Sequence, residues 1–336
     1  MAQQSTYDVA PQMADYDQIG QRQQWVPYLM LFCQPDCAFP SVTTDGLGFR
    51  TTLDRQGRRA GDASNRSCSI VVGGSTVFGV GATHDRHTIP SILNRITDDS
   101  WLNFGGRAFN STQEIILFLL HLPQRLDRIL LLSGVNNVIL ALANKGASPV
   151  YGAFIHSGTY EATMKNPRRE YMGVRWATAQ LLKELRRYFL ANHASGDASK
   201  THGVDDYYQN ILSCCQRDLR AFKTLAKGLG IPIYFALQPL ATWIDKALSP
   251  EEQKSFAALD ALQGPEWQTV TNGLRAVRDR YFVDMADICA NEGVPFFNLN
   301  LDPAFREREW LFVDRVHLTD RGHALAADIV KREFIL

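Results

Sequence analysis

Short apolar runs alternate with amphipathic stretches through most of the chain. Apolar runs of four to seven residues predict strands, and apolar positions recurring every three or four residues predict helices. The predicted strands are 68–74, 101–104, 128–133, 231–237 and 295–299, and the predicted helices are 89–96, 111–122, 174–193 and 205–229. The run 129–132 is continuously apolar, as expected when helices cover both faces of a sheet. The alternation predicts a parallel sheet built from right-handed crossovers.

Three regions depart from this alternation. Residues 1–25 are rich in Gln, Asp and Ser and predict a loose arm, within an N-terminal extension (1–66) that packs on a main domain (67–336). Residues 144–172 are rich in Gly, Ser, Pro and Tyr and are longer than an ordinary connection. They predict a lid over the site, the alternatives being an oligomer contact or a surface excursion. With the predicted linker 194–203, they form a helical and lid insertion at about 144–230.

Composition excludes several classes of function. In 336 residues, 35 basic side chains balance 35 acidic ones, which argues against nucleic acid or an anionic membrane as a partner. The first residues lack the pattern of a secretory signal, so we expect a cytoplasmic protein if the chain starts at its natural methionine. The apolar segment 115–122 is too short to cross a bilayer.

Cysteine usage indicates no disulfide framework. Six cysteines are few and scattered for a chain of this length. Cys33 and Cys37 have a spacing that suits a metal or a disulfide, but no second Cys or His pair follows at zinc-finger spacing. We expect reduced loop thiols there, and packing roles for Cys214 and Cys215 on a helix.

Two separate stretches of the chain, 73–76 and 314–317, carry residue types suited to acyl chemistry. Gly73-Gly74-Ser75-Thr76 directly follows the first predicted strand, where a tight turn can aim a hydroxyl off the strand end. Its alternative interpretation is an ordinary turn or helix N-cap serine. Near the C-terminus, Asp314 and His317 precede a helix for which Thr319 is a predicted N-cap, and can supply a base and the carboxylate that orients it. His323 is a competing base, but it falls inside that helix.

Two further predicted turns lie between these two stretches. The stretch 103–111 follows the second strand and contains Gly105 and Ala108. Asn136 follows the third strand, where a side-chain amide can donate to an oxyanion. A turn-forming asparagine is the alternative for Asn136.

These four blocks, in this order, resemble the SGNH, or GDSL-like, hydrolase superfamily. The resemblance covers about residues 45–335 without the insertion, because Asp45 to Arg50 resembles a stretch that often precedes the first block. It implies a three-layer α/β/α sandwich with a parallel, flavodoxin-like five-stranded sheet. It also implies a Ser75, His317 and Asp314 triad with an oxyanion hole from Ser75, Gly105, Ala108 and Asn136, and no cofactor or metal.

The chain departs from the family pattern at three positions. Gly74 stands where the family has the aspartate of Gly-Asp-Ser, and Asn137 stands where it has the aspartate of Gly-x-Asn-Asp. Ala108 replaces the last glycine of Asn-x-Gly-x-x-Gly. A backbone donor survives this last change only if φ is negative or the strain is tolerated.

The function that these residues favour is serine-dependent hydrolysis of a small-molecule or carbohydrate-linked ester. Acyl transfer to an alcohol or amine by the same triad is one alternative. A non-catalytic binding or regulatory protein of the same fold is a second, and it is favoured if the three side chains fail to converge. A metal-dependent enzyme using His84 and His87 is a third. The acyl group, the acceptor and the oligomeric state stay open.

Overall fold

A computed structural model of the chain describes residues 2–60, 67–155, 157, 160 and 204–334. The strands are β1 (Gln23–Val26), β2 (Met30–Cys33), β3 (Cys68–Gly73), β4 (Trp101–Gly105), β5 (Leu126–Ser133), β6 (Ile233–Leu237) and β7 (Phe296–Asn298). The helices are α1 (Ala2–Val9), α2 (Met13–Gln21), α3 (Ser75–Phe78), α4 (Ile89–Ile96), α5 (Ser111–Leu120), α6 (Val135–Asn144), α7 (Asp205–Leu229), α8 (Pro250–Asn291) and α9 (Asp320–Phe334).

The central sheet has five strands in the order β4-β3-β5-β6-β7, and every pair in it is parallel. β4 thus lies at the edge of the sheet beside β3, and β5, β6 and β7 follow in chain order on the other side of β3. This is the flavodoxin-like order, in which ligands bind beyond the carboxyl ends of the strands. The predicted parallel five-stranded sheet is confirmed.

Both faces of the sheet are covered, because successive side chains of a strand point to opposite faces. Ile70 and Val72 of β3 pack with the helices α5, α6, α7 and the later part of α8. Val71, between them, packs with α4, α9 and the start of α8. The result is the three-layer α/β/α sandwich that was expected.

The predicted helices that lie within the described residues occur, but others, among them α6 and α8, were not predicted. α4 and α7 have the predicted bounds, and α5 ends two residues before the predicted 122. α6 begins inside what was interpreted as a turn. α8 also escaped the periodicity argument, although Ser249 and Glu252 form a capping box with Pro250 at the first helical position. The predicted helix 174–193 and linker 194–203 lie outside the described residues.

The prediction of a loose N-terminal arm was wrong. Residues 2–33 form α1, α2 and an antiparallel hairpin of β1 and β2. Tyr16 and Ile19 of α2 are fully buried against Phe78 and Val80 beside α3. The polar composition concealed an apolar stripe at positions 13, 16 and 19, which lie on one side of a helix. The division into an extension and a main domain stays a prediction.

All six cysteines are buried free thiols, so Cys33 and Cys37 are not joined by a disulfide. Among the described residues, no helix combines the length and the apolar character needed to cross a membrane.

Candidate active site

The four sequence blocks meet at one edge of the sheet. The turns that follow β3, β4 and β5 carry Ser75, Ala108 and Asn136, and these three strands are neighbours in the sheet. Because parallel strands end at the same edge, side chains far apart in sequence are brought together there. The loop from 311 to 319, which leads into α9, brings His317 to the same place.

Ser75, His317 and Asp314 form a continuous chain of hydrogen bonds. The Ser75 Oγ lies 2.8 Å from His317 Nε2, and His317 Nδ1 lies 2.7 Å from Asp314 Oδ2. Ser75 is the first residue of α3 and is 7% exposed. The side chains of His317 and Asp314 are 21% and 17% exposed. The arrangement is therefore shielded from bulk water but reachable from the surface.

Several donors hold the Asp314 carboxylate in its charged form. Its Oδ1 accepts the backbone N–H groups of Val316 and His317, each at 2.7 Å. Burial by itself raises the pKa of Asp314, but the adjacent His317 and these hydrogen bonds bring the pKa below its ordinary value. A charged carboxylate on Nδ1 fixes the imidazole orientation and leaves Nε2 facing the serine.

The competing histidine lies elsewhere. His323 is fully buried in α9, and its Nε2 lies 3.4 Å from the Val80 carbonyl oxygen. Burial lowers the pKa of His323 to about 3, which keeps the ring neutral. Asp320 stands three residues before His323, but its carboxylate accepts the N–H and hydroxyl of Thr83 instead. Only the earlier Asp-x-x-His pair reaches a serine within the described residues.

The turns after β3 and β4 each leave one backbone N–H group unpaired among the described residues. The N–H groups of Ser75 and Ala108 have no acceptor within the part of the chain that the structure describes. Ala108 has a φ of 56°, a left-handed conformation that costs an L-residue about 1–2 kcal/mol. The strain of the glycine-to-alanine change is thus tolerated, and the turn keeps its donor.

Asn136 lies in the first turn of α6, close to the serine turn. One N–H of its side-chain amide donates to the Phe109 carbonyl at 2.8 Å. A Cβ atom on Gly74 would lie 2.5 Å from this amide nitrogen, far inside van der Waals contact. The close approach explains glycine at position 74 in place of the family's aspartate, because any side chain there would displace Asn136.

Gly105 does not belong to the oxyanion donors, contrary to expectation. Its N–H donates to the Asn103 Oδ1 at 2.9 Å and is not free. The Asn103 amide in turn donates to the Val77 carbonyl of α3 at 2.8 Å. The two residues therefore fasten the turn after β4 to the helix of Ser75, a structural role.

Asn137 has a similar fastening role. Its Oδ1 accepts the Ser111 N–H, and its amide donates to the Ser111 hydroxyl. These bonds join the starts of α5 and α6, so the amide that replaces the family's aspartate supplies both a donor and an acceptor.

The loop that carries Asp314 and His317 rests on the start of α8, which the sequence did not indicate. Glu252 accepts the N–H groups of Leu311 and Phe312 and pairs with Lys246 Nζ at 2.8 Å. Both side chains of this ion pair are fully buried. The capping-box spacing from Ser249 was the one sequence signal that marked Glu252.

Only the beginning of the predicted lid can be placed. Residues 144–155, 157 and 160 are described, and the remainder of 144–172 lies outside the described residues. The Asn110 amide donates to the carbonyls of Tyr151 and Ala153, so this part of the chain lies against the start of α5. The rings of Tyr151, Phe154 and Tyr160 pack on each other with centroids 5.5–6.2 Å apart. A covering role over the site stays a prediction.

The segment 84–87 forms structural contacts. Asp85 is buried and pairs with Arg50 Nε at 2.9 Å, while the His84 ring accepts the Arg86 N–H. His87 Nε2 lies 3.8 Å from the Asp320 carboxylate. Within the described ranges, no three His, Cys, Asp or Glu side chains are grouped so that they could hold a metal ion.

Comparison with solved structures finds distant similarities. The chain is similar to an extracellular lipase from Streptomyces rimosus (12% identity, TM-score 0.41, covering 80% of this chain and 100% of the lipase). It is also similar to a G-D-S-L family lipolytic protein from Desulfitobacterium hafniense (12%, 0.40, 80% and 99%) and to an M. smegmatis aryl esterase (13%, 0.37, 80% and 100%).

At these identities and TM-scores the likeness supports no conclusion about this chain, and the activities of those proteins are not carried over to it. No family model matches the sequence, and no curated protein matches it.

Proposed function

We propose that the protein is a serine-dependent acyl hydrolase of the SGNH type, with Ser75 as nucleophile, His317 as general base and Asp314 as the carboxylate that orients it. The observation that supports this most directly is the unbroken contact chain from Ser75 Oγ through His317 to Asp314, with distances of 2.8 and 2.7 Å. The non-catalytic alternative would be favoured if these side chains lay apart, and they do not.

The first half of the proposed reaction forms an acyl-enzyme. His317 Nε2 takes the hydroxyl proton as Ser75 Oγ attacks the ester carbonyl carbon. The developing oxyanion accepts from the Ser75 and Ala108 N–H groups and from the second amide N–H of Asn136. The tetrahedral intermediate then expels the alcohol, which takes the proton from His317.

The second half returns the enzyme to its starting state. A water molecule gives a proton to His317 Nε2 and attacks the acyl carbonyl, and the same donors stabilise the second oxyanion. The acid leaves, and Ser75 regains its proton from His317. Asp314 stays charged throughout, in agreement with its lowered pKa.

A fluorophosphonate probe tests the assignment. The wild-type protein is expected to be labelled at Ser75 and to hydrolyse p-nitrophenyl acetate, and Ser75→Ala is expected to lose both. Thr76→Val is a matched control, since the buried Thr76 hydroxyl has no partner among the described residues and should be dispensable. Wild-type protein that is neither labelled nor active on esters would contradict the proposal.

The substrate class and the acyl acceptor are tested by further assays of the same proteins. p-Nitrophenyl esters of increasing acyl length and an acetylated oligosaccharide distinguish a small-molecule ester from a carbohydrate-linked one. Adding an alcohol acceptor and measuring the ratio of acid to new ester distinguishes hydrolysis from acyl transfer. We expect acid as the main product.

A further inference from the structure

The carbonyl groups that follow the nucleophile helix are all held by side chains from other parts of the chain. Arg50 Nη1 donates to Phe78 O at 3.3 Å and to Gly79 O at 2.9 Å. The Tyr16 hydroxyl lies 2.7 Å from Gly79 O and 2.8 Å from Ala82 O. The remaining two carbonyls, Val80 O and Gly81 O, lie 3.4 Å from His323 Nε2 and 2.8 Å from Gln12 Nε2.

Three of these four side chains, Gln12, Tyr16 and Arg50, come from the first fifty residues. Arg50 and Tyr16 are 2% and 0% exposed. The Arg50 guanidinium also pairs with Asp85 at 2.9 Å and donates to the Tyr16 oxygen at 2.7 Å. A buried arginine whose guanidinium nitrogens are all hydrogen-bonded holds the groups around it in one geometry.

The segment held in this way lies between the N-terminal extension and the loop that carries His317. Gly81 has a φ of 95°, and a Cβ atom on it would lie 2.3 Å from the Leu318 carbonyl oxygen. Leu318 directly follows His317. Residues 78–82 therefore follow directly from the helix of Ser75 and also contact the backbone next to His317.

The nucleophile helix cannot hold its own orientation. α3 is four residues long, and the two bonds Phe78 N to Gly74 O and Gly79 N to Ser75 O close it. A helix of one turn is unstable alone, because its nucleation cost is not repaid by further bonds. The direction of Ser75 Oγ thus depends on the contacts around α3: the strand β3 before it, the Asn103 amide on Val77 O, and the side chains that hold residues 78–82.

We propose that Gln12, Tyr16 and Arg50 are positioning residues that set the distance between Ser75 Oγ and His317 Nε2. The inference rests on the proposed function of these two residues. It gives the N-terminal extension a part in catalysis, although none of the three side chains touches the reacting atoms. It also assigns a purpose to the Asp45 to Arg50 stretch, which presents Arg50 to the end of α3.

Tyr16→Phe tests the proposal by removing one oxygen. We expect kcat on p-nitrophenyl acetate to fall about tenfold or more with KM within twofold, because small displacements of reacting groups cost rate and not ground-state binding. The fluorophosphonate labelling rate of Ser75 should fall by the same factor. Tyr208→Phe is the matched control, since Tyr208 is 2% exposed and its hydroxyl donates to Asp284 at 2.7 Å, away from Ser75.

Gln12→Met is a second variant that keeps the test decisive if Tyr16→Phe does not fold. Gln12 is only half-buried, and the change removes the donor to Gly81 O while keeping the side-chain length. We expect a smaller fall in kcat, again with little change in KM. Unchanged kcat in a folded Tyr16→Phe or Gln12→Met protein overturns the inference, as does an equal fall in Tyr208→Phe. An inactive, unlabelled wild type would instead overturn the proposed function.

Discussion

The turn beyond β4 places an alanine in a conformation that favours glycine. Ala108 has a φ of 56°, and its N–H has no acceptor within the part of the chain that the structure describes. Strain of this kind persists where the surrounding structure holds it, and it is often found at functional sites. Here the fastening bonds from Asn103, Gly105 and Asn110 hold the flanking chain.

Ala108→Gly is expected to relieve that strain. We expect the free energy of unfolding to stay the same or to rise by up to about 1 kcal/mol, because lost left-handed strain is offset in part by the greater freedom of glycine in the unfolded chain. Ester turnover should stay within about threefold, since the donor is a backbone group. Ala108→Val, with a branched Cβ, should lower stability instead. Urea unfolding of the three proteins checks this, and a less stable glycine variant would contradict it.

Asn136→Ala is expected to lower kcat about a hundredfold or more, because in the proposed mechanism it removes a donor to the developing oxyanion. The fold is expected to stay intact. KM should change little, since the bond strengthens only as charge develops. Asn144→Ala is the control, because Asn144 ends the same helix and its amide donates to the Leu140 carbonyl at 2.8 Å. Steady-state kinetics decide the matter. Equal activity of both variants would mean that the two backbone donors suffice.

At the scale of elements, α5 and β5 are joined by a buried carboxyl group. Glu114 of α5 is 2% exposed, and the Ser133 hydroxyl at the end of β5 lies 2.7 Å from both of its oxygens. Burial raises the pKa of Glu114 from its ordinary 4.5 to about 8. The folded protein therefore keeps this group protonated at neutral pH, with a hydroxyl as its neighbour.

The raised pKa of Glu114 makes stability depend on pH. The folded state binds the proton more tightly than the unfolded state, so the stabilisation is complete below pH 4.5 and is lost as pH rises through about 8. We expect the free energy of unfolding of the wild type to fall between pH 5 and pH 8, relative to Glu114→Gln, by about 3–4 kcal/mol. Urea unfolding at both pH values measures it. Parallel pH dependence in the two proteins would contradict the expectation.

Other shifted groups do not obscure this comparison. The pKa of Asp314 is lowered, so its contribution is present above its ordinary 3.8 and is lost only as pH falls further. The lowered pKa of His323 acts equally in wild type and variant.

A strand or helix could be predicted from sequence where its own residues show the apolar pattern of a buried element. The run 129–132 is apolar because it is covered on both sides, so β5 was visible in the sequence. α2 was not, because its buried face is a narrow stripe among Gln and Asp residues and its partners, Phe78 and Val80, lie about sixty residues away. No local pattern records such a contact.

The candidate site divides in the same way. Ser75, Asp314, His317 and Asn136 could be named because short motifs mark them. Gly105 was misassigned, because only the structure shows that Asn103 occupies its N–H. Gln12 and Tyr16 contact backbone carbonyl groups, which no side-chain motif records, and Arg50 was marked only as the end of the Asp45 to Arg50 stretch.

At the scale of the molecule, the core clusters are connected through the sheet and through α3. Ile70 and Val71 are neighbours on β3 but belong to clusters on opposite faces of the sheet. Phe78 and Val80 belong to a third cluster, with Tyr16, Ile19, Cys33, Cys37 and Val42 of the N-terminal extension. An element that shares residues with each neighbour cannot unfold without exposing the others, so we expect the extension and the sheet to unfold together.

Buried thiols report on this cooperativity. Cys33 lies in the extension, Cys68 in β3 and Cys289 near the end of α8, and these side chains are 1%, 3% and 0% exposed. Burial raises the pKa of the three thiols to about 12, 11 and 12, so in the folded protein they lack both access and the reactive thiolate form. A short pulse of alkylating reagent should label them only in unfolded molecules.

We expect Cys33, Cys68 and Cys289 to become labelled at the same urea concentration when the pulse is repeated across a urea gradient and the products are measured by mass spectrometry. A chain that unfolds in one step exposes all three thiols together. Labelling of Cys33 at clearly lower urea, with Cys68 and Cys289 still protected, would show that the extension detaches first. Activity measured on the same samples would then show whether ester turnover ends with the extension or with the sheet.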